Sequence, residues 1–466
     1  MNRALIIVPH PDDEINVAGC IMEPLKQKGY EVVVAICSNG DSYPQLTKER
    51  YQEALKVKKL LGYDRLIYLG YGDGYKGSHI YDLKDEAIAK SFGERTSTFH
   101  PVDGKEFCYD HFGVHKLYTR NNFKDDIKEL IISEKANILI CVDLDVHPDH
   151  RCVSLLFDEV MGEILRFNKD YRPLILKKFA YMGVWHGEDD YFDTVVQVTK
   201  PTILGVLASS YPYNWEDRIQ FKTPPHYYRT FFWNTPLFKA LSSYRTQSVT
   251  TNPINCCISS MKRQVNRDTV YWLRRTDNKL YNAIIKVSSG DPSFLTDFKV
   301  YDTDSVKLTE LLESKEYWTP SSEDKEATIS CEFPSSTRVS SVIIYQHSNY
   351  SIKKIRVSSN TSFSRTYTLD CKPVVRIDLS CGECVRNLEF RILEGYNDQI
   401  RIGEIEVFDI PEEIIIDRIP LERISKADPT IVRNKFLCII QKSIFDFYSR
   451  VVVKYNRTKW RKVYDT

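Results

Sequence analysis

The sequence predicts an α/β protein: a mainly parallel, doubly wound sheet with flanking helices, then an antiparallel β-sandwich of jelly-roll type, then a basic C-terminal helix. Three observations carry this. In the first half, short apolar runs alternate with stretches of helical spacing, as in successive βαβ units. From about residue 285 the chain turns to short β-branched segments separated by Ser, Asn, Asp and Gly turns, the texture of a sandwich. From Thr430 to Thr466 there are nine Lys or Arg against two acids, with apolar residues three or four apart.

Taken in order, Ala4–Val8 is a continuous apolar run, too short for a secretory signal and right for a buried parallel strand. The stretch around Ile15–Lys28 follows as a helix and Val32–Ile36 as the second strand. Lys48–Leu61 reads as a helix, with Ala54, Val57 and Leu61 on one face and Gly62 as its stop. Leu66–Leu69 is a third strand, Asp125–Ser133 a helix and Ile138–Val142 a further strand. The sandwich strands are Ser340–Tyr345, Ile352–Val357, Val374–Leu379, Leu388–Leu393 and Ile405–Phe408. A boundary between Trp272 and Ser289 divides the chain into an α/β unit at 1–280, a sandwich at 285–410, and a linker and tail at 411–466.

Composition narrows the function classes. A length of 466 residues suggests about three structural units. Hydrophobic residues at 42% and charged residues at 27% fit a globular chain rather than a disordered one. A balance of 64 Lys+Arg against 63 Asp+Glu lacks the cation excess that nucleic-acid binding needs. No apolar run approaches the roughly 18–20 residues that span a bilayer. With no signal segment, the twelve cysteines read as small buried hydrophobes of a cytoplasmic protein rather than a disulfide framework.

Two clusters carry chemistry. His10-Pro-Asp-Asp-Glu14 follows the first strand directly, and His147-Pro-Asp-His150 follows the Ile138–Val142 strand. Ligands of open α/β sheets bind outside the carboxyl ends of the strands, so a parallel sheet brings both clusters to one place. Imidazole and carboxylate donors suit a divalent metal. Catalytic zinc takes three protein ligands and keeps a position open for water. Two His and one Asp leave a further carboxylate for base work and a further His as acid.

These residues, with Ser38-Asn-Gly-Asp41, Arg50-x-x-Glu53-Ala54, Leu69-Gly-Tyr-Gly-Asp-Gly74, Tyr118-Thr-Arg120 with Asp126-Ile127, and Ala240–Gln247, resemble the PIG-L/LmbE-like metal-dependent de-N-acetylases over residues 1–270. The resemblance implies a Rossmann-like fold and removal of an acetyl group from an N-acetylated amino sugar of the N-acetylglucosamine type, in a glycan, nucleotide-sugar or lipid-linked intermediate. It implies His10, Asp13 and His150 as ligands to Zn²⁺, with Fe²⁺ or another divalent metal as substitutes. It makes Asp12 the base, His147 an imidazolium that protonates the leaving amine or steadies the oxyanion, and Asp149 the orienter of a neighbouring imidazole. Arg50 and Asp73 fall at its substrate-contacting positions. Two other readings stay open: an amidase on a sugar–thiol or other amide conjugate, and an inactive glycan-binding scaffold.

Other signals read more simply. His111-Phe-Gly-Val-His115 is assigned to a loop or substrate rim rather than to metal, and Cys381-Gly-Glu-Cys384 to a β-turn. Trp185-His186, Tyr211–Trp215 and Tyr227–Trp233 are mostly core aromatics. Val287–Asp409 resembles discoidin-like, galactose-binding-like jelly rolls, through Tyr317-Trp-Thr-Pro-Ser-Ser322 and Ile402-Gly-Glu-Ile-Glu406. In the tail, Val432, Phe436, Ile440, Ile444, Tyr448 and Val451 share a helical face. Residues 430–466 therefore offer two readings, a helix lying on the inner face of the cytoplasmic membrane and a helix packed on the core.

Overall fold

The computed structural model describes residues 1–74, 80–102, 105–145, 147–180, 185–186, 192–196, 198–201, 215–249, 267–300, 317–347, 349–379 and 384–464. Strands that are apolar at every position must be covered on both faces. Apolar runs of this kind form most of β1 (Arg3–Val8), β2 (Glu31–Ser38) and β4 (Ile138–Val142), which pair in parallel with β3 (Arg65–Tyr71) and β5 (Leu174–Lys178). With β6 (Ile219–Lys222) and β7 (Asp268–Arg274), both joined antiparallel, they make a seven-stranded sheet of order β3-β2-β1-β4-β5-β7-β6. The order reverses beside β1, which has β2 on one side and β4 on the other. The carboxyl ends of β1 and β4 therefore flank the crevice where such sheets bind ligands.

Among the described residues, six helices run between β1 and β5: α1 (Asp13–Ala18), α2 (Met22–Gln27), α3 (Thr47–Leu61), α4 (Phe107–Phe112), α5 (Arg120–Glu134) and α6 (Pro148–Phe167). The single helix expected around Ile15–Lys28 is broken in two. Gly19 lies so close to the Ile15 carbonyl and Leu237 that a Cβ there would meet them at 2.7 and 2.8 Å. The β5 strand was not legible because it ends in two buried lysines. Lys177 donates to Ser154 Oγ (2.7 Å) and Asp158 Oδ1 (2.9 Å), and Lys178 to Thr269 Oγ1 (2.7 Å).

Among the described residues eight antiparallel strands follow: β8 (Ile284–Val287), β9 (Thr328–Arg338), β10 (Ser341–Gln346), β11 (Ile352–Ser359), β12 (Ser364–Thr368), β13 (Val374–Asp378), β14 (Cys384–Gly395) and β15 (Ile402–Phe408). They pair as a five-stranded sheet, β8-β9-β14-β11-β12, and a three-stranded sheet, β13-β10-β15. Ile329, Phe333, Ile355, Phe390, Ile402 and Val407 are among the side chains that fill the space between them. Strand β15 is buried along its whole length because its other face carries Glu404 and Glu406 into the contact with the α/β half. There Glu404 Oε2 accepts from the Phe298 amide (2.8 Å), Glu406 Oε2 from Tyr345 (3.2 Å), and Arg274 Nη2 donates to the Phe298 carbonyl (2.8 Å). Gly162 on α6 lets this layer approach, since a Cβ would come within 2.1 Å of the Asp297 carbonyl.

The chain then returns to the first half. After α7 (Pro236–Leu241) in that half and α8 (Glu412–Ile416) beyond the sandwich, the Lys222 amide donates to the Glu422 carbonyl (2.7 Å) and the Ile424 amide to that of Gln220 (2.8 Å). Helix α9 (Lys435–Tyr464) closes the chain. It packs through Cys438, Gln441 and Phe445, with the Phe445 ring centroid 5.1 Å from that of Phe232. Among the described residues no helix is long and apolar enough to cross a membrane. Nine cysteines are described; seven are buried, and Cys371 and Cys384 are exposed.

Candidate active site

The end of β1 is a strained turn. Asp12 adopts φ 113°, ψ −26°, a left-handed conformation that a non-glycine residue holds only when its surroundings fix it. The fixing group is Glu14. Its Oε2 accepts the Asp12 amide at 2.8 Å, and Tyr244 donates to its Oε1 at 2.5 Å. Glu14 is fully buried, and desolvation pushes its carboxyl up to about 8 despite the Tyr244 hydrogen bond. The turn thereby sends Asp12 to the half-open side of the site while His10 and Asp13 point inward, at 7% and 0% exposure.

The end of β4 leads into α6 through a helix cap. His147 is the N-cap, Pro148 occupies the first helical position, and His147 Nδ1 accepts the Asp149 amide at 3.2 Å. Asp145 holds the backbone of His147 and the imidazole of His150 in place. Its Oδ1 accepts the His147 amide (2.9 Å), and its Oδ2 lies 2.7 Å from His150 Nδ1. Asp145 was not singled out in the sequence, although it stands two residues before His147 in the same short loop.

The two turns meet on Asp13. Its Oδ2 is 3.1 Å from His10 Nδ1 and 3.1 Å from His150 Nε2. Asp149 Oδ2 sits 3.0 Å from His10 Nε2, so Asp149 orients His10, and Gly74 donates its amide to Asp149 at 3.2 Å. The rings of His10, His147 and His150 lie with centroids 4.7 to 5.4 Å apart, and one ring nitrogen from each falls within 4.8 Å of the others.

This donor set fits a divalent metal. Ligand atoms on a tetrahedral zinc with bonds near 2.0–2.1 Å stand about 3.3 Å from one another, close to the two Asp13–imidazole distances. Asp13 Oδ1 is buried without a hydrogen-bond donor. The electrostatics agree. Burial works against charging His150, but Asp13 and Asp145 outweigh it and push it up to about 10. Burial also works against His10, and its bonds to Asp13 and Asp149 raise it well above the usual range. Asp13 is held well below the carboxylate range by His150 and His10, against its burial. The pocket thus concentrates negative charge that two imidazolium protons balance, and a dication answers the same need.

His10, Asp13 and His150 are the inner three and His147 stands at the rim, half-buried, its Nδ1 already accepting a backbone N–H. That environment differs from the imidazolium expected for it. Burial first, then the neighbouring charges of His10 and His150, bring His147 down to about 4, because the nearer carboxylate oxygen of Asp149 is 4.0 Å away and only partly offsets them. A ring whose Nδ1 accepts a hydrogen bond and whose pKa is low carries its single proton on Nε2.

Arg50 and Asp73, expected at the substrate, are both buried and hydrogen-bonded within the protein. Asp73 accepts from Ser38 Oγ (2.7 Å) and from the amide and hydroxyl of Ser42, and is 3.9 Å from His10 Nε2. Arg50 donates to the Gly40 carbonyl (2.9 Å) and to Gln247 Oε1 (3.0 Å), and Gln247 donates in turn to the Pro11 carbonyl (3.1 Å). Arg50 Nη1 is in turn 3.9 Å from Asp73 Oδ2. His111 and His115 do not converge: His111 lies 3.5 Å from Glu129 and His115 2.8 Å from Glu106. Tyr227 and Phe232 are buried core. Residues 381–383, 211–214 and the side chains of Trp185 and His186 lie outside the described residues.

Comparison with known proteins bears on the first part of the chain. Residues 5–161 match the family model described as PIG-L, GlcNAc-PI de-N-acetylase, a shorter span than the 1–270 over which the motifs run. No curated protein matches the sequence. Among solved structures, the N,N'-diacetylchitobiose deacetylase from Pyrococcus horikoshii is similar at 18% identity and TM-score 0.25, over 36% of this chain and 52% of that one. This chain therefore spans about half the length of that enzyme. The family 32 carbohydrate-binding module of Clostridium perfringens NanJ, in complex with galactose, is similar at 13% identity and TM-score 0.22, over 28% of this chain and 95% of that one. A fucose-binding module of Streptococcus pneumoniae gives 16% identity and TM-score 0.23, over 28% and 95%. The motif, the two-turn geometry and the sequence match agree, and residues 5–161 of this chain are a PIG-L family domain.

Proposed function

We propose that the α/β half is a metal-dependent hydrolase that removes the acetyl group from an N-acetylated amino sugar of the N-acetylglucosamine type. The observation that carries this reading is the meeting of His10, Asp13 and His150 on one carboxylate oxygen, with Asp12 beside them and outside the set. His10, Asp13 and His150 would hold the metal, Zn²⁺ or another divalent ion such as Fe²⁺. Such an ion polarises the acetamide carbonyl and lowers the pKa of water from about 16 toward about 7.

The chain's own groups then divide the proton work. Asp12 takes the proton of the attacking water and returns it to the sugar nitrogen as the C–N bond breaks, giving acetate and a free amine. His147, neutral with its proton on Nε2, donates a hydrogen bond to the carbonyl oxygen as negative charge grows on it. Asp149 and Asp145 hold the two inner imidazoles in the required tautomers.

Metal analysis together with acetate release from a panel of N-acetylglucosamine conjugates tests the reading. Near-stoichiometric metal and acetate from at least one conjugate support it. Metal-free protein, or metal-loaded protein that releases no acetate from any of them, leaves the scaffold reading in its place.

A further inference from the structure

We infer that α9 is a membrane-surface helix that docks the protein on anionic lipid. One face of α9 is already used: Cys438, Gln441 and Phe445 are buried, the Phe445 ring stands 5.2 Å from Phe192 and 5.1 Å from Phe232, and Gln441 Oε1 accepts the Phe232 amide at 3.0 Å. At 100° per residue, the apolar stripe of Phe436, Ile444, Phe447 and Val451 falls on a different face of the same helix. That face is open. Phe436 is 70% exposed, Phe447 71% and Val451 49%, and Val432, just before the helix, is 70% exposed.

Long apolar and aromatic side chains gathered in a stripe on an exposed helix mark an interaction surface rather than scattered surface hydrophobes. The flank of the stripe identifies the partner. Lys435, Lys442 and Arg450 are exposed and lie between the buried face and the apolar stripe, with Asp446 on the same arc and the exposed Lys454 at the edge of the stripe, so a plane laid on the stripe meets an excess of cations along one edge. Apolar insertion beside a row of cations is the complement of a bilayer surface bearing anionic headgroups, where each Lys or Arg contributes about 1 kcal/mol. A second copy of this chain, paired antiparallel about a two-fold axis, would bring the same cations to the same edge.

Docking there also places the candidate site. The core-facing side of α9 packs against the turn Thr246–Val249, whose Gln247 contacts Arg50 and the Pro11 carbonyl, and Tyr244 just before it holds Glu14. The helix that meets the membrane is thus one layer of protein from His10 and Asp12. This consequence rests on the deacetylase reading; the docking itself does not.

The test is co-sedimentation of the full chain with vesicles of phosphatidylcholine alone and with about 30% phosphatidylglycerol added. Two doubly substituted chains are compared, Phe447→Asp with Val451→Asp, and Arg450→Glu with Lys454→Glu. The wild-type chain should partition onto the anionic vesicles and weakly onto the neutral ones. The first variant should fall to background, and the second should lose about tenfold or more in partitioning. All the substituted positions are exposed, so both variants should keep the wild-type melting curve and acetate release from a soluble conjugate. Equal binding to both vesicle types, or an Asp variant that still sediments, overturns the inference. So does self-association that the Asp variant abolishes while no vesicle is bound. Vesicle binding by a chain that releases no acetate would leave docking standing and remove the catalytic reading.

Discussion

The amide of Asp12 donates to Glu14 Oε2 at 2.8 Å, so the carboxyl two residues on holds the left-handed turn that sets the proposed base beside the proposed metal ligands. Glu14 is anchored in turn by Tyr244, from a segment 230 residues away. The geometry of the base therefore depends on a buried pair.

Tyr244→Phe should leave one buried Glu14 oxygen without its donor, at a cost of about 1–3 kcal/mol in unfolding free energy. It should also lower kcat by about tenfold through looser placement of Asp12, with KM and metal content little changed. Urea unfolding and steady-state kinetics on the same preparations check both. A variant that is destabilised with unchanged kcat would make the Glu14–Tyr244 pair structural only.

Asp145→Asn should act on the metal rather than on the base. Asp145 Oδ2 lies 2.7 Å from His150 Nδ1, and groups that orient a ligating imidazole typically contribute about 10–100-fold in metal affinity. Competition with a chromophoric chelator measures this. Excess metal should restore most of the activity, which it would not do if Asp145 moved protons in the reaction.

The contact between the two halves should be pH-sensitive. Burial pushes Glu406 up from about 4.5 to about 7, only partly opposed by Arg274. At low pH both folded and unfolded chains carry this proton. As pH rises from about 4.5 to about 7 the unfolded chain loses it first, so stability falls across that window and levels off above it. At about 1.36 kcal/mol per pH unit the loss approaches about 3 kcal/mol. Unfolding free energies of wild type and Glu406→Gln at pH 5 and pH 8 isolate this contribution. The difference between the two proteins should shift by about that amount in favour of the Gln variant at pH 8.

How much was legible in the sequence follows from where each signal lies. Strands β1, β2 and β4 stood out because a parallel sheet buries both faces and leaves unbroken apolar runs. Strands β5 and β7 were hidden by charges that the fold satisfies at a distance: Lys177 by Asp158 on α6, and Arg274, 3.7 Å from the same Asp158 and bonded to the Phe298 carbonyl. His10, Asp12, Asp13, His147 and His150 were readable because each sits in a short motif at the end of a strand. Tyr244 and Gln247 complete the site from more than 190 residues beyond Arg50 and Pro11, and no local pattern points to them beyond the weak Ala240–Gln247 match. The protonation of His147 was unreadable for another reason. It depends on two neighbouring imidazoles that only the folded sheet brings to centroid distances of 4.8 and 4.7 Å.

The division of labour between adjacent aspartates is the central claim, and paired metal and turnover measurements on Asp12→Ala and Asp13→Ala test it most directly. Asp12→Ala should keep near-stoichiometric metal and lose about 10²–10⁴-fold in acetate release, as expected for removal of a general base. Asp13→Ala should lose the metal itself. An Asp12→Ala protein that turns over normally, or an Asp13→Ala protein that holds metal as tightly as the wild type, would contradict the account.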